Sequence, residues 1–481
     1  MRPRLRFLEP VLVERIVEEA KAILSTRGVL VEGPMVARLE ELGLKVDGSS
    51  GRLKMSSEFI DSGIESAPSS IELFDREGES HALLEKDRVH FVPGSSALKI
   101  LDRETNEMRG PTSRDLAEYV RVADGLERIS YLSTAFVPQD IPQEVADAWR
   151  LYLCLAHSKK PVVSGAFTAH GVTRMARLLS FFRSGKEELI AKPLAIFTCC
   201  PNTPLRWGVD PLQNLVECAE WGIPVEIVPV LLLGMISPAT TVGALVLHTA
   251  EVLSGLALAQ AVRRGTPILF GGAPAAFHMQ LMTNPMTAVE ALQVFCGYAQ
   301  IAEHLKLPSQ AYMALSDAKF NDPQAGFETG IGAFLAALSG INSVSGPGML
   351  DYVNCFSLEK LVFDDEIVAH AQRFIRPVGI KGDLPTGELI DELVRENHLL
   401  TAEHTLEHWP EELYLPGPMV DRTNWDQWEE RGKPSGRDRA LEMIEEKLDE
   451  YEVDPLPDDL HGEIQGLFHD TFDGKLEMPE Y

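Results

Sequence analysis

Residues 161–234 read PVVSGAFTAHGVTRMARLLSFFRSGKEELIAKPLAIFTCCPNTPLRWGVDPLQNLVECAEWGIPVEIVPVLLLG, and this stretch decides the fold. It holds three short apolar runs, at 161–167, 194–200 and 225–234. A proline leads into each: Pro161, Pro193 and Pro224. Proline as the first residue of a strand costs no ladder hydrogen bond. The runs are continuous rather than alternating, as strands buried on both faces are. Gly, Pro and Asn punctuation and then an amphipathic helical stretch come after each of the first two.

The same unit recurs on either side, at 89–93, 129–136, 267–272, 309–316 and 341–346, which makes eight. Their starts fall about 30–45 residues apart, the size of a βα unit. Eight such units predict an α/β fold of the closed (β/α)8 TIM-barrel type rather than an open doubly wound sheet. The open sheet would want a G-x-G-x-x-G turn after its first strand. Here that position reads PGSSALKILD at 93–102.

The chain divides into three regions. Residues 1–85 form a mostly helical N-terminal region: apolar spacing predicts helices over 12–24, 35–42 and 58–65, with Gly28 and Gly43 as stops and Ser56 or Ser57 as a cap. A short strand is expected at 71–74. Residues 86–395 form the barrel, and 396–481 an acidic helical extension with a helix over 437–451.

The chain has 481 residues, 45% of them apolar and 24% charged, the profile of a globular enzyme. Its formal charge of −28 disfavours a nucleic-acid partner and an anionic lipid surface. Residues 401–481 hold 23 Asp and Glu against 7 Lys and Arg, so 16 of the 28 net negative charges lie there. That fits a solvated face, or a docking face for a cationic partner or substrate. The six cysteines form no C-x-x-C pair and read as buried intracellular thiols. The first residues carry two arginines with no apolar segment behind them, so no signal peptide is expected. The longest apolar run, 227–236, is too short for a bilayer. A cytoplasmic protein is the expectation.

In a barrel, chemistry sits at the C-terminal ends of the strands. The aromatics there are Phe136, Phe167, Tyr312, Phe320, Tyr352 and Phe356, and all of these but Phe320 are candidates to cradle a cation. Asp317 and Asp351 stand just past strands, where an acid is rarely core. His278 and Asn202 join them, and Arg206 offers a bidentate seat for a carboxylate. Gly94, Gly271, Gly272, Gly346 and Gly348 leave room for something large and flat, or mark tight turns. No zinc is expected: Cys199 and Cys200 are adjacent and point to opposite faces of a strand, and the strand ends hold few His or acids.

Longer motifs then point to a family. They are RGVLVEGP and LEELGLKVDG, SAPSSIELFDREG, FVPGSSALKILDRETNEMR, CPNTPL, GMISPATTVGALV, AEVLSGLALAQ, SDAKFNDPQAGFE, SGPGML and EHTLEHWPEELY. Across nearly its whole length the chain resembles the trimethylamine methyltransferase superfamily, in the branch without pyrrolysine. The resemblance implies a (β/α)8 barrel that demethylates a quaternary amine, glycine betaine first among candidates, with proline betaine and carnitine as alternatives. It implies that the methyl group passes to Co(I) of a separate corrinoid (cobalamin) protein, leaving a dimethylated amine. A homo-oligomer is also expected. A different barrel enzyme, a lyase or a zinc-dependent methyltransferase, and a betaine-binding protein without catalysis are the remaining alternatives.

Overall fold

The computed structural model describes residues 2–479 except 169, 382, 454 and 470–475. Eight core strands fall one in each predicted run: β1 (His90–Val92), β2 (Leu132–Ser133), β3 (Val162–Ser164), β4 (Ala195–Cys199), β5 (Val225–Ile227), β6 (Ile268–Phe270), β7 (Gln310–Ala311) and β8 (Ser343–Ser345). All ladders among them are parallel. One sheet runs β6-β5-β4-β3-β2 and a second runs β7-β8-β1. Single parallel bridges join the two, Phe91 to Ile129 and Phe270 to Ser309. The architecture is therefore mixed α/β, with two parallel sheets meeting at two one-pair seams. The prolines keep their acceptor role. The carbonyls of Pro161, Pro224, Pro267 and Pro308 accept from Leu132, Phe197, Val225 and Phe270 on neighbouring strands.

The fifth run is shorter as a strand than its apolar length predicts. β5 stops at Ile227, and Leu232–Leu233 pairs separately with Ala275–Ala276. Pro229 lies between them and has no N–H to continue a ladder. The functional end of this strand is thus Val228, not Gly234.

An antiparallel hairpin, Ser70–Phe74 with Ser80–Glu85, covers the N-terminal end of the strands. Its Ile71, Leu73, Ala82 and Leu84 pack with Val92, Tyr131, Val163, Ile196 and Leu269. The N-terminal helices are Pro10–Thr26, Met35–Glu41 and Ser57–Ser66, the last capped by Ser56, whose hydroxyl accepts from Phe59 N. Helix Thr241–Val262 is long and apolar enough to cross a membrane by length and composition, and 78% of its most apolar window is buried inside the protein. Scanning for unbroken apolar runs passes over it because His248 and Glu251 interrupt the run. Helix Pro10–Thr26 and helix Ser57–Ser66 pack on it, and Gly63 lets the latter approach Leu256 and Ala257 closely.

Beyond helix Leu358–Phe374 come four helices that bury little: Gly387–Glu396, Glu403–Glu412, Trp425–Glu430 and Gly436–Asp449. The last has a complete capping box from Ser435 and Asp438. Helix Asp458–His469 comes next, and its Phe468 packs on Trp149 and Tyr152.

Candidate active site

A cavity of about 560 Å³ opens at the C-terminal ends of the strands. Ser95 and Ser96 line it after β1, Ala166 and Phe167 after β3, and Thr198 and Cys200 at the end of β4. Val228 and Val230 lie after β5, and Tyr312 after β7. Helix Val209–Trp221 adds Asp210 and Asn214 to the rim. Two other cavities, of about 630 and 470 Å³, lie away from these strand ends. Of these three, the strand-end cavity alone has loops from most of the core strands converging on it.

Beneath its floor sits Glu226, fully buried on β5. Thr198 Oγ1 donates to Glu226 Oε1 at 2.6 Å. The other oxygen, Oε2, has no hydrogen-bond partner among the described residues. Burial pushes this carboxyl up to about 7. It is therefore half ionised near neutral pH. Beside it, Tyr312 shares a hydrogen bond of 3.1 Å with Ser95 Oγ, and its phenol is raised first by burial and then by the Glu226 charge. A buried carboxyl with one free oxygen, behind a threonine and a tyrosine, makes this wall attractive to a cation.

The opposite wall carries the reverse charge. Arg150, on helix Ala146–His157, is fully buried. One of its nitrogens donates to Thr134 O at 3.2 Å and to Ser96 Oγ at 3.3 Å. Nε and Nη2 have no partner among the described residues. Burial pulls the guanidinium down to about 10, which leaves it charged at neutral pH. It lies 5.1 Å from the centroid of the Phe167 ring.

Of the residues predicted from strand ends, the cavity brings together Phe167, Asn202 and Tyr312. Asn202 Oδ1 accepts from Gly208 N at 2.9 Å and so shapes the loop after β4. Phe167 faces the cavity, but its ring already meets a guanidinium, which makes it a poor seat for a second cation. The remaining aromatics are occupied elsewhere. Phe136 and Phe356 are buried 5.5 Å apart in a cluster with Tyr119, on the wall of a separate cavity. Tyr352 lies under Lys319 Nζ at 4.0 Å.

The charged candidates are likewise committed. Asp351 pairs with Lys319 at 3.4 Å. Arg206 forms a surface pair with Glu32 at 2.6 Å, because the strand Arg206–Trp207 pairs with Val29–Val31 rather than turning inward. His278 lies on a loop outside the cavity, and its Nδ1 accepts from Leu281 N at 3.2 Å. Asp317 accepts from Met286 N, Thr287 N and Thr287 Oγ1, so it holds the segment that carries cavity residue Met286.

The five glycines serve the protein's own packing. A Cβ on Gly94 would meet Met349, on Gly271 the carbonyl of Ile227, and on Gly272 the His248 ring. On Gly346 it would meet the Met313 carbonyl, and on Gly348 the Phe356 ring. The side where a side chain would stand is filled from within, which accounts for a glycine at each position through the protein's own packing.

Glu226 and Arg150 escape a search confined to the residues just past each strand, since one lies inside a strand and the other on a helix. Each nevertheless leaves a mark, a single charge within an apolar stretch: VEIVPVLLL and WRLYLCLA. Glu251, another buried carboxyl raised to about 7, is structural: it accepts from Leu205 N and Thr203 Oγ1 and holds the CPNTPL loop. The cavity rim also stores backbone strain. Ser96 has φ 66°, and Asp351, Tyr352 and Val353 form a left-handed turn with φ 50°, 59° and 68°. A β-branched residue such as Val353 rarely adopts that region, and such outliers gather at ligand sites.

The trimethylamine methyltransferase (MTTB) family profile matches residues 1–470. A trimethylamine methyltransferase of Desulfitobacterium hafniense (strain DSM 10664 / DCB-2) is 26% identical over 452 residues, covering 94% of this chain and 91% of that relative. A glycine betaine methyltransferase of D. hafniense (strain Y51) is 28% identical over 469 residues, covering 97% of both. Among solved structures, the Methanosarcina barkeri monomethylamine methyltransferase is 11% identical, with a TM-score of 0.47 over 95% of this chain and 93% of that one.

Proposed function

The chain belongs to the trimethylamine methyltransferase family and is a methyltransferase, and on that premise we propose that it demethylates a quaternary amine, glycine betaine foremost. Proline betaine and carnitine present the same two charged groups and are the alternatives. We also infer that the two parallel sheets form one closed (β/α)8 barrel, spanning about 86–395. The bridges at Phe91–Ile129 and Phe270–Ser309 support this, because with them each of the eight strands has two neighbours. The free cysteines among the described residues agree with a cytoplasmic site of action.

The observation that carries the functional reading is the position of Glu226: a buried carboxyl with a free oxygen, one residue behind the floor of a cavity at the strand C-termini. A separate corrinoid protein supplies the Co(I) nucleophile that accepts the methyl group. The cavity mouth fits such a partner, since its Phe167 and Val230 are exposed apolar side chains, as are Leu98, Met235 and Met279 on the loops after β1, β5 and β6.

This chain's own residues do the rest. Glu226 and the Tyr312 ring hold the quaternary nitrogen and turn one methyl toward the mouth. The apolar walls, Val228, Val230 and Met286, exclude water. The leaving group is a neutral tertiary amine, so it needs no proton to depart. Loss of the positive charge removes the partner of Glu226 and so weakens the hold on the product. Thr198 keeps Oε1 fixed throughout. The test is to mix the protein with reduced corrinoid protein and glycine betaine and follow the cobalt spectrum. Methylation of cobalt in step with substrate loss is expected. No methylation with any betaine, carnitine or choline overturns the reading.

A further inference from the structure

We propose that Arg150 is a positioning residue that selects substrates carrying a carboxylate, acting through Ser96 at the cavity wall opposite Glu226. The inference rests on the quaternary-amine reading and adds to it the orientation of the substrate and the residue that sets it.

The case begins with an unbalanced charge. Arg150 is wholly buried and makes no ion pair with a carboxylate among the described residues. Asp147, three residues before it, attracts it electrostatically but forms no ion pair with it, because other donors hold that carboxylate. Its Oδ2 accepts from Thr168 Oγ1 at 2.7 Å and from Phe167 N at 3.2 Å. Holding Thr134 O and Ser96 Oγ needs only a neutral donor, whereas a buried, unpaired guanidinium carries a large desolvation cost. A charge kept under those conditions has a use for its field, and the field has one near outlet. Ser96 and Phe167, the two side chains Arg150 touches on that side, both line the cavity.

Ser96 is held in a left-handed conformation, φ 66°, which shows that the surrounding structure fixes this residue strongly. Its hydroxyl accepts from Arg150 and is left with its own proton to donate into the cavity. Ser95, its neighbour, meets Tyr312 at 3.1 Å and ties the positive wall to the aromatic one. The cavity is thus bipolar: Arg150, Ser96 and Ser95 on one side, and Glu226, Thr198 and Tyr312 on the other. A zwitterion with a quaternary nitrogen at one end and a carboxylate at the other matches both walls. A quaternary ammonium alcohol matches only one.

The test compares glycine betaine with choline, which has the same ammonium group and no carboxylate. Binding to the full chain is measured by calorimetry without corrinoid protein, and kcat and KM with it. Arg150→Met is expected to weaken glycine betaine binding by about 10-fold or more while changing choline by less than about 2-fold. The loss should appear in KM more than in kcat, and Arg150→Lys should restore part of it. Ser96→Ala, which leaves the buried charge in place, should shift the same ratio in the same direction and keeps the test open if Arg150→Met fails to fold. Equal losses for both ligands, or an unchanged ratio, overturn the proposal. Wild-type protein that demethylates glycine betaine while Arg150→Met keeps its selectivity overturns this inference alone. Wild-type protein that neither binds nor demethylates either ligand overturns it together with the functional reading.

Discussion

At the N-terminal end of the eight strands the interior is covered by the hairpin, whose Ile71, Leu73, Ala82 and Leu84 pack on Val92, Val163, Ile196, Leu269 and on Tyr131, whose hydroxyl donates to Ser343 Oγ. At the C-terminal end the same strands hold Glu226 and abut Arg150, both buried, and both with nitrogen or oxygen atoms that find no partner among the described residues. The first end is built mainly of packed apolar side chains. The other tolerates unpaired charge, left-handed turns and an open cavity. The difference separates what stabilises the fold from the cavity proposed to take the substrate, although the residues of both ends are often only a few positions apart in the chain: Ile196 packs at the first and Thr198 holds Glu226 at the second.

Four experiments bear on that division. The largest effect is expected from Glu226→Gln, which keeps shape and removes charge. Catalytic efficiency on a quaternary amine should fall about 100-fold, the scale of losing one partner of a buried charge pair. Thermal melting should show no loss of stability, because the removed charge is unpaired. A lower Tm would place Glu226 with the packing residues instead. Leu73→Ala should do the reverse, lowering stability by about 2–4 kcal/mol in denaturant titration while KM for the amine stays unchanged.

The third is a pH profile. A quaternary nitrogen does not titrate, so any change in its binding belongs to the protein. Glu226 ionises near 7, so affinity should rise by up to about 10-fold between pH 6 and 8, and Glu226→Gln should flatten the curve. Stability runs the other way. Glu226 is raised above its unfolded value, so between about pH 4.5 and 7 its own contribution to stability falls as pH rises, while His157 and His248, lowered by burial, contribute in the opposite sense. The difference in stability between wild type and Glu226→Gln, measured in the same denaturant titration, isolates the Glu226 part, and a difference that shifts in favour of the wild type as pH rises over that interval would contradict the assignment.

The smallest effect concerns the acidic extension. Removing residues 437–481 would also remove Ile464 and Phe468 from the core, so neutralising exposed acids is the cleaner test. Asp426→Asn with Glu429→Gln and Glu430→Gln should slow the reaction with corrinoid protein about 2- to 3-fold at low salt and leave betaine affinity unchanged.

Much of the fold is legible in the chain because proline lead-ins and unbroken apolar runs are local signals. Hydrophobic length alone misjudged β5, where Pro229 ends the ladder inside an apolar run. The site is less legible. Phe167, Asn202 and Tyr312 stand where strand-end logic places them. Phe136, Phe356, Tyr352, Asp351 and Arg206 also come after strands, yet local partners claim them: Tyr119, Lys319 and Glu32. Partner choice depends on distant segments, and no spacing rule encodes it. The glycines show the same thing, since what fills the space beside Gly346 is the carbonyl of Met313, 33 positions away.

The central claim is that this cavity demethylates a betaine with Glu226 as its counter-charge. NMR of the full chain incubated with glycine betaine and reduced corrinoid protein tests it most directly, by counting dimethylglycine against methyl groups transferred. One dimethylglycine per methyl group is predicted for the wild type, with Glu226→Gln about 100-fold slower. No dimethylglycine from the wild type, or equal rates for the two proteins, would contradict it.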